Sequence, residues 1–152
     1  MRKNIIIALL LFSSNITLGQ KFNFKLVDKL VKISFVSIDE FMSEGYGFKK
    51  IKNNKNEDEK HTRTYVRVYE NNRDKIIIIK VLSPNNKPNI LDIYLGKSFN
   101  LRDIKDKLIS MNYEYNGNNK FGYNVYQKDK STYLFAKKPN KVGATHLIIN
   151  NE

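Results

Sequence analysis

Two segments of the chain match without a gap: Val66-Arg-Val-Tyr-Glu-Asn-Asn-Arg-Asp-Lys-Ile-Ile-Ile-Ile-Lys80 and Tyr123-Asn-Val-Tyr-Gln-Lys-Asp-Lys-Ser-Thr-Tyr-Leu-Phe-Ala-Lys137. A second pair lies upstream of each: Phe41-Met-Ser-Glu-Gly-Tyr-Gly-Phe48 and Leu108-Ile-Ser-Met-Asn-Tyr-Glu-Tyr115. The offset is 57 residues in the first match and 67 in the second, so the later copy lacks ten residues of an intervening loop. Apolar runs around a short polar turn are typical of a β-hairpin. The chain therefore predicts an internal repeat.

Each repeat is predicted to contain a helix followed by four antiparallel strands. The repeats span about residues 24–95 and 98–150. The predicted strands of the first repeat are 46–51, 65–69, 75–82 and 90–95, and those of the second are 113–116, 123–127, 132–137 and 146–149. The predicted class is α+β, a duplicated helix-ββββ unit whose antiparallel sheet or sheets carry the helices on one face.

Helix ends are marked in both repeats. An amphipathic helix is predicted over residues 24–33. Ser37-Ile-Asp-Glu40 has the spacing of a capping box at the start of a second helix, which Gly45 would end. In the later repeat Asn100 is the predicted cap, and Asn112 stands at the left-handed position after the helix.

The order of these elements is similar to that of the β-lactamase inhibitor protein-like fold, a tandem repeat of helices followed by a four-stranded sheet. The chain also resembles small exported bacterial proteins in which a helix ends in a Gly-Tyr/Phe-x-Phe step, here Gly45-Tyr46-Gly47-Phe48. The resemblance covers about residues 24–150 and implies the fold. No inhibitory residue is carried over, because no inhibitory motif matches.

Residues 1–19 have the composition of an export signal. Arg2 and Lys3 precede the apolar run 5–12, and Thr17-Leu-Gly19 places small residues before a predicted cleavage at Gln20. The apolar run is shorter than the roughly 20 residues that span a bilayer. Residues 20–152 are predicted to form a single domain, without stable membrane insertion, in a periplasm or outside the cell.

The chain is strongly basic. Its 152 residues include 27 Lys and Arg against 15 Asp and Glu, and removal of the signal would leave a net charge of +10. Such a charge attracts anionic partners: nucleic acid, an anionic lipid or glycan, or an acidic protein. A Lys-rich surface that merely solvates the protein fits the composition equally well. Because there is no cysteine, disulfides and thiolate sites are excluded.

Alternation along the strands predicts two faces. Val66 and Val68, with Tyr123 and Val125, are expected to face the helices, as are Ile77, Ile79, Leu134 and Ala136. The predicted binding residues on the outer face are Arg67, Tyr69, Lys80, Tyr126, Tyr133, Phe135 and Lys137. Aromatic and cationic side chains are enriched at binding hot spots. A second sheet packed on this face is the alternative.

The sequence contains no catalytic motif, and neither a cofactor nor a metal is predicted. His61 and His146 are the two histidines. Glu57-Asp-Glu59 lacks the alternating ligands of a calcium loop and is interpreted as a solvated charge run. A secreted hydrolase or nuclease that uses one histidine as base and the other as acid is the least favoured hypothesis.

The favoured hypothesis is an exported, non-enzymatic binding protein of the inhibitor or immunity type, which binds another protein with an acidic surface. The alternative from a second class is a binder of an anionic glycan, lipid or nucleic acid, with an affinity that falls steeply with salt.

Overall fold

The computed structural model describes residues 22–52, 61–70, 72–84 and 89–151. The predicted export signal, residues 1–19, lies outside them, as do Glu57-Asp-Glu59. The helices are α1 (Phe24–Lys32), α2 (Ile38–Glu40) and α3 (Arg102–Ser110). The strands are β1 (Lys49–Ile51), β2 (Thr62–Val68), β3 (Ile76–Leu82), β4 (Ile90–Leu95), β5 (Glu114–Asn118), β6 (Tyr123–Lys128), β7 (Ser131–Ala136) and β8 (Thr145–Asn151).

All eight strands form one antiparallel sheet in the order β1-β2-β3-β4-β8-β7-β6-β5. The first four strands and the last four each run as a meander, and the two meanders join where β4 pairs with β8. The edges are β1 and β5. The predicted α+β class and all eight predicted strands are therefore confirmed.

Helix α1 packs on the middle of the sheet, against β4 and β8. Its buried residues are Leu26, Val27, Leu30 and Val31, the stripe that the helical period predicts. The Asn23 side chain accepts a hydrogen bond from the Leu26 N–H at 3.1 Å and caps the helix.

The segment after α1 is less regular than predicted. A 3₁₀ turn, Phe35–Ser37, leads into α2, which continues as a π-helical turn, Phe41–Gly45. Ser37 makes no capping hydrogen bond from its side chain, so the predicted capping box was wrong. The left-handed residue is Gly47, with φ of 65°, because the π turn extends the helix past the predicted end.

The predicted C-terminal end of α3 is confirmed, whereas the N-cap residue is Leu101, one position after the predicted Asn100, and makes no capping hydrogen bond from its side chain. The Asn100 side chain accepts from the Arg102 N–H at 2.8 Å, and Asn112 adopts φ of 63°. Asparagine tolerates this left-handed conformation better than other non-glycine residues. The buried residues of α3, Ile104 and Leu108, face the sheet core.

One hydrophobic core joins the helices to a single face of the sheet. From the strands it takes alternate residues: Tyr65, Ile77, Ile79, Val81, Leu91, Ile93, Leu95, Tyr133, Phe135, Leu147 and Ile149. We call this the helix face. In the part of the chain that the structure describes, no helix lies on the opposite face, which we call the open face.

Candidate binding site on the open face

The open face carries a mixture of aliphatic, aromatic and polar side chains from the middle of the sheet. These residues are Thr64, Val66, Val68, Ile76, Ile78, Lys80, Asp92, Tyr94, Tyr123, Val125, Leu134, Ala136, His146 and Ile148. Most are half-buried, but Val68 is 47% exposed and Tyr94 is 37% exposed. The face therefore presents apolar area to solvent at the centre of a rigid sheet.

A hydrogen-bonded series crosses the open face from β6 to β4. The Tyr123 hydroxyl lies 2.6 Å from Nδ1 of His146, and Nε2 of His146 lies against Oδ1 of Asp92. A carboxylate only accepts hydrogen bonds, so we assign the imidazole hydrogen to Nε2. In the neutral ring Nδ1 then accepts the hydrogen of Tyr123. Both ring nitrogens are thus occupied within the protein.

Tyr94 completes the group by stacking on the imidazole. The ring centroids of Tyr94 and His146 are 4.3 Å apart, and the rings are tilted by 7°. The β4–β8 register places these two residues directly opposite each other. Lys80 lies opposite Asp92 in the neighbouring pair of strands. Burial, followed by the charge of Asp92, raises the pKa of the Tyr94 phenol.

This arrangement does not produce an activated nucleophile or a free base. Burial and the charge of Asp92 raise the pKa of the Tyr123 phenol, whereas a nucleophile needs a lowered pKa. His146 has no ring nitrogen left for a substrate. His61 precedes β2, and β3 and β4 lie between β2 and β8, so the two histidines do not form an acid–base pair. The contacts instead hold Tyr94, Tyr123 and His146 in fixed relative positions.

An open cavity lies beside Tyr94, Tyr123 and His146. Its volume is about 530 Å³. The residues around it are Tyr94, Phe121, Gly122, Tyr123, Ala136, Lys137, Lys138, Asn140, Ala144 and His146. We call it the Tyr–His cavity. Phe121, at 72% exposure, is one of the most exposed aromatic side chains described.

Two asparagine-centred turns form the rim of the Tyr–His cavity. The Asn119 side chain accepts hydrogen bonds from the N–H groups of Phe121 and Tyr123, each at 3.0 Å. The Asn140 side chain accepts from the N–H groups of Val142 at 3.1 Å and Ala144 at 2.9 Å. Such side-chain-to-backbone bonds fix the shape of a turn locally. Hydrogen bonds within the protein therefore fix the shape of the rim.

The predicted binding residues do not share one face. Lys80 lies on the open face as predicted, and Lys137 lines the Tyr–His cavity. The placement of the other five on the outer face was wrong: Arg67, Tyr69, Tyr126, Tyr133 and Phe135 lie on the helix face. Tyr133 and Phe135 are fully buried there. Six residues that were expected to face the helices lie on the open face instead: Val66, Val68, Tyr123, Val125, Leu134 and Ala136.

Hairpin length explains one of these errors, the placement of Val66 and Val68 on the same face as Ile77 and Ile79. In the second hairpin Tyr123 and Val125 do share a face with Leu134 and Ala136, but it is the open face. Seven residues separate the last pair of the β2–β3 hairpin, Val68 and Ile76, whereas two residues separate Lys128 and Ser131 in the β6–β7 hairpin. Side chains alternate between the two faces of a strand. Whether a given pair of residues from the two strands shares a face therefore depends on whether the loop between the strands has an odd or an even number of residues. An ungapped alignment through both hairpins therefore shifts one strand by a residue.

The group Asp92, Tyr94, Tyr123 and His146 was not predicted as a site. A sequence signal existed: Asp92 and His146 are polar residues inside otherwise apolar strands. Their meeting depends on the pairing of β4 with β8, across 54 residues of chain. Local patterns do not specify such a pairing.

A second polar cluster lies at the other end of the molecule, on the helix face. Asp39 accepts a hydrogen bond from the Tyr65 hydroxyl and lies 3.2 Å from Nζ of Lys50 and 3.4 Å from Arg63. The Arg63 guanidinium also stacks over the Phe35 ring and donates to its backbone carbonyl at 2.7 Å. The cluster joins the α1–α2 connection to β1 and β2, which indicates a structural role.

We expect Asp39→Asn to flatten the dependence of stability on acid pH. Burial opposes ionisation of Asp39, but the hydrogen bonds from Tyr65 and Lys50 and the charge of Arg63 outweigh it, so the pKa of the carboxyl is lowered. A lowered pKa stabilises the fold at neutral pH, and that contribution is lost as the pH falls below about 5. Because Asp39 is half-exposed, we expect this contribution to the free energy of unfolding to be under about 1 kcal/mol.

Urea unfolding at several pH values between about 3 and 7 measures the effect of Asp39→Asn. Glu44→Gln, at an exposed carboxylate in the adjacent π turn, is the control. An equal loss of stability in acid for Asp39→Asn and the wild type would contradict the assignment.

Comparison of the chain with protein families, with curated proteins and with solved structures found no match. Within the described residues no helix is long and apolar enough to cross a membrane. Among those same residues, no three His, Asp or Glu side chains come together in a way that could hold a metal ion.

Proposed function

We propose that this protein is an exported, non-enzymatic binding module of the inhibitor or immunity type, which binds an acidic surface of another protein through its open face. The single observation that carries this proposal is the one-sided burial of the sheet. The helices and the core occupy one face, while the opposite face keeps Val68, Tyr94 and their neighbours accessible in the part of the chain that is described.

The physical properties of the open face support protein binding. Its side chains project from strands that are hydrogen-bonded on both sides, so little conformational entropy is lost when a partner docks. Tyr94 is further held by its stack on His146. Ordered aromatic residues surrounded by aliphatic area are typical of interface hot spots.

Charge supports an acidic partner. The mature chain would carry +10, and Lys80, Lys137 and Lys138 surround the centre of the open face. The nearby carboxylate of Asp92 is bonded to His146. A positive patch steers an acidic protein toward the face and orients it.

The same charge supports the second candidate, a binder of an anionic glycan, lipid or nucleic acid. Lysines interleaved with exposed aromatic rings, as at Phe121 and Lys137, suit polymers that combine phosphates or carboxylates with flat rings. The two candidates differ in salt dependence, which is steep for a polyanion.

Duplication and export complete the proposal. In each half a helix is followed by a four-stranded meander, and a left-handed residue, Gly47 or Asn112, separates helix from sheet. This parallel supports an origin by duplication of a helix-ββββ unit. Export rests on the composition of residues 1–19.

We expect Val68→Arg to abolish recovery of the partner in a pull-down from the cell envelope. The substitution places a long charged side chain on exposed apolar area of the open face. The matched control is Val36→Arg, at a valine that is 83% exposed on the helical side of the molecule. Unfolding midpoints of both variants should stay near that of the wild type, because both positions are exposed.

A protein captured by the wild type and by Val36→Arg, but not by Val68→Arg, supports the proposal. Equal recovery by all three proteins would contradict it. Retention on an immobilised polyanion that is lost in high salt, without any such protein, would favour the second candidate.

A further inference from the structure

We infer that the Tyr–His cavity holds an acidic side chain of the protein partner, a Glu or Asp that lies next to an aromatic or aliphatic residue. The inference rests on the proposed function and names the partner chemistry of one part of the open face. It follows from three features of the cavity: its apolar wall, its charge and its hydrogen-bonding groups.

The wall of the Tyr–His cavity is suited to a flat or aliphatic side chain. Tyr94 and Tyr123 both contact the imidazole of His146, one stacked and one edge-on, with ring centroids 4.3 and 5.6 Å away. Phe121 extends from the rim into solvent. Burying such rings against an apolar residue gives much contact area at low entropic cost.

The charge of the Tyr–His cavity selects an anion. Lys137 and Lys138 are exposed at its edge, and none of the described residues around it is acidic. Asp92 keeps its negative charge, but it contacts His146 and is not among the residues around the cavity. A carboxylate brought to the lysine edge would therefore meet two ammonium groups, and no acidic residue among those described lines the cavity there.

The hydrogen-bonding groups favour a peptide over a simple anion. Because Tyr123 gives its hydrogen to His146, its oxygen can only accept a further hydrogen bond. A backbone N–H of a bound segment is a matching donor, whereas an isolated carboxylate brings no donor at all. The Lys137 N–H donates to the Gly122 carbonyl at 3.0 Å, so β7 and the Asn119 turn are already joined. This bond fixes the position of Lys137 relative to the turn.

The test uses two peptides that differ only in charge, acetyl-Glu-Phe-amide and acetyl-Gln-Phe-amide. Each is titrated into the isotope-labelled protein, and the backbone N–H resonances of Gly122 and Ala144 are followed by NMR. We expect the Glu peptide to shift both resonances and to bind about fivefold to tenfold more tightly than the Gln peptide, as a charge-assisted contact provides.

The lysine double variant K137Q/K138Q is expected to remove this preference, so that both peptides bind equally weakly. Lys141→Gln, at an exposed lysine of the neighbouring turn that does not line the cavity, should keep the preference. Equal binding of the two peptides to the wild type would overturn the inference. So would full displacement of the Glu peptide by inorganic phosphate at equal concentration, which would indicate an unselective anion site.

The envelope pull-down separates failure of this inference from failure of the proposed function. If K137Q/K138Q still captures a partner that Val68→Arg loses, the partner binds the open face without using the cavity lysines, and only the inference fails. If no partner depends on Val68, the proposed function fails, whatever the peptides show.

Discussion

Replacement of Phe135 by alanine is expected to lower the free energy of unfolding by about 3–5 kcal/mol. Phe135 lies in the middle of the helix face and is fully buried. Its ring meets Tyr126 edge-on at 5.4 Å, and the Lys105 ammonium lies 5.1 Å from its centroid. Truncation removes these contacts and leaves a cavity between α3 and the sheet, because a rigid core relaxes only partly.

The matched control for Phe135→Ala is Leu134→Ala. Leu134 is the preceding residue of β7 and lies half-buried on the open face. We expect Leu134→Ala to lower the free energy of unfolding by about 1 kcal/mol, because folding removes less of this side chain from solvent than it does of Phe135. Denaturant unfolding of both variants measures the difference. A larger loss for Leu134→Ala than for Phe135→Ala would place the two faces of the sheet the other way round.

Replacement of Asn89 by leucine is expected to lower the free energy of unfolding by about 2–4 kcal/mol. Asn89 is almost fully buried where the chain enters β4. Its side-chain amide donates to the carbonyls of Leu30 at 2.6 Å and Ile33 at 2.7 Å, and its backbone N–H donates to the Val31 carbonyl at 3.2 Å. The last turn of α1 is thereby fastened to the sheet. Leucine has the same branched skeleton of heavy atoms but is bulkier and cannot donate, so it leaves one buried and one partly buried carbonyl unsatisfied.

Asn89→Asp provides a sharper form of this test. A carboxylate at this position faces two carbonyl oxygens, so we expect this variant to be less stable than Asn89→Leu at neutral pH. The folded state would raise the pKa of the new carboxyl, so its stability should recover as the pH falls and the acid form can donate. Equal stability of the Asp variant and the wild type near pH 7 would contradict the proposed role of Asn89.

Helix positions and the C-terminal end of α3 were predictable because their determinants are local. The α1 stripe follows the 3.6-residue period, and Asn112 adopts the left-handed conformation just after α3. The failure at Ser37 is also local: a 3₁₀ turn and a π turn replaced the regular helix on either side of α2. In these turns the backbone does not follow the regular α-helix, so residues at the spacing of a capping box no longer reach the backbone N–H groups that a capping box binds.

The facing of the strands was not predictable from alternation. In β7 the residues on both faces are apolar, with Tyr133 and Phe135 on one side and Leu134 and Ala136 on the other. Hydropathy therefore cannot select the buried side. The packing around α1 selects it: Phe24 stacks on Tyr133 at 6.3 Å, and Tyr113 meets the same ring edge-on at 5.4 Å.

By itself, the amino-acid sequence determined the α+β class, the eight strands, the extent of α1 and the C-terminal end of α3, because these depend on patterns within a few residues. The tertiary structure decided which strand face is open and which residues form the Tyr–His cavity. Packing of the core around α1 set the first, because hairpin length fixes only how two strands face relative to each other. The pairing of β4 with β8 set the second, because only this contact brings Asp92 and Tyr94 to His146.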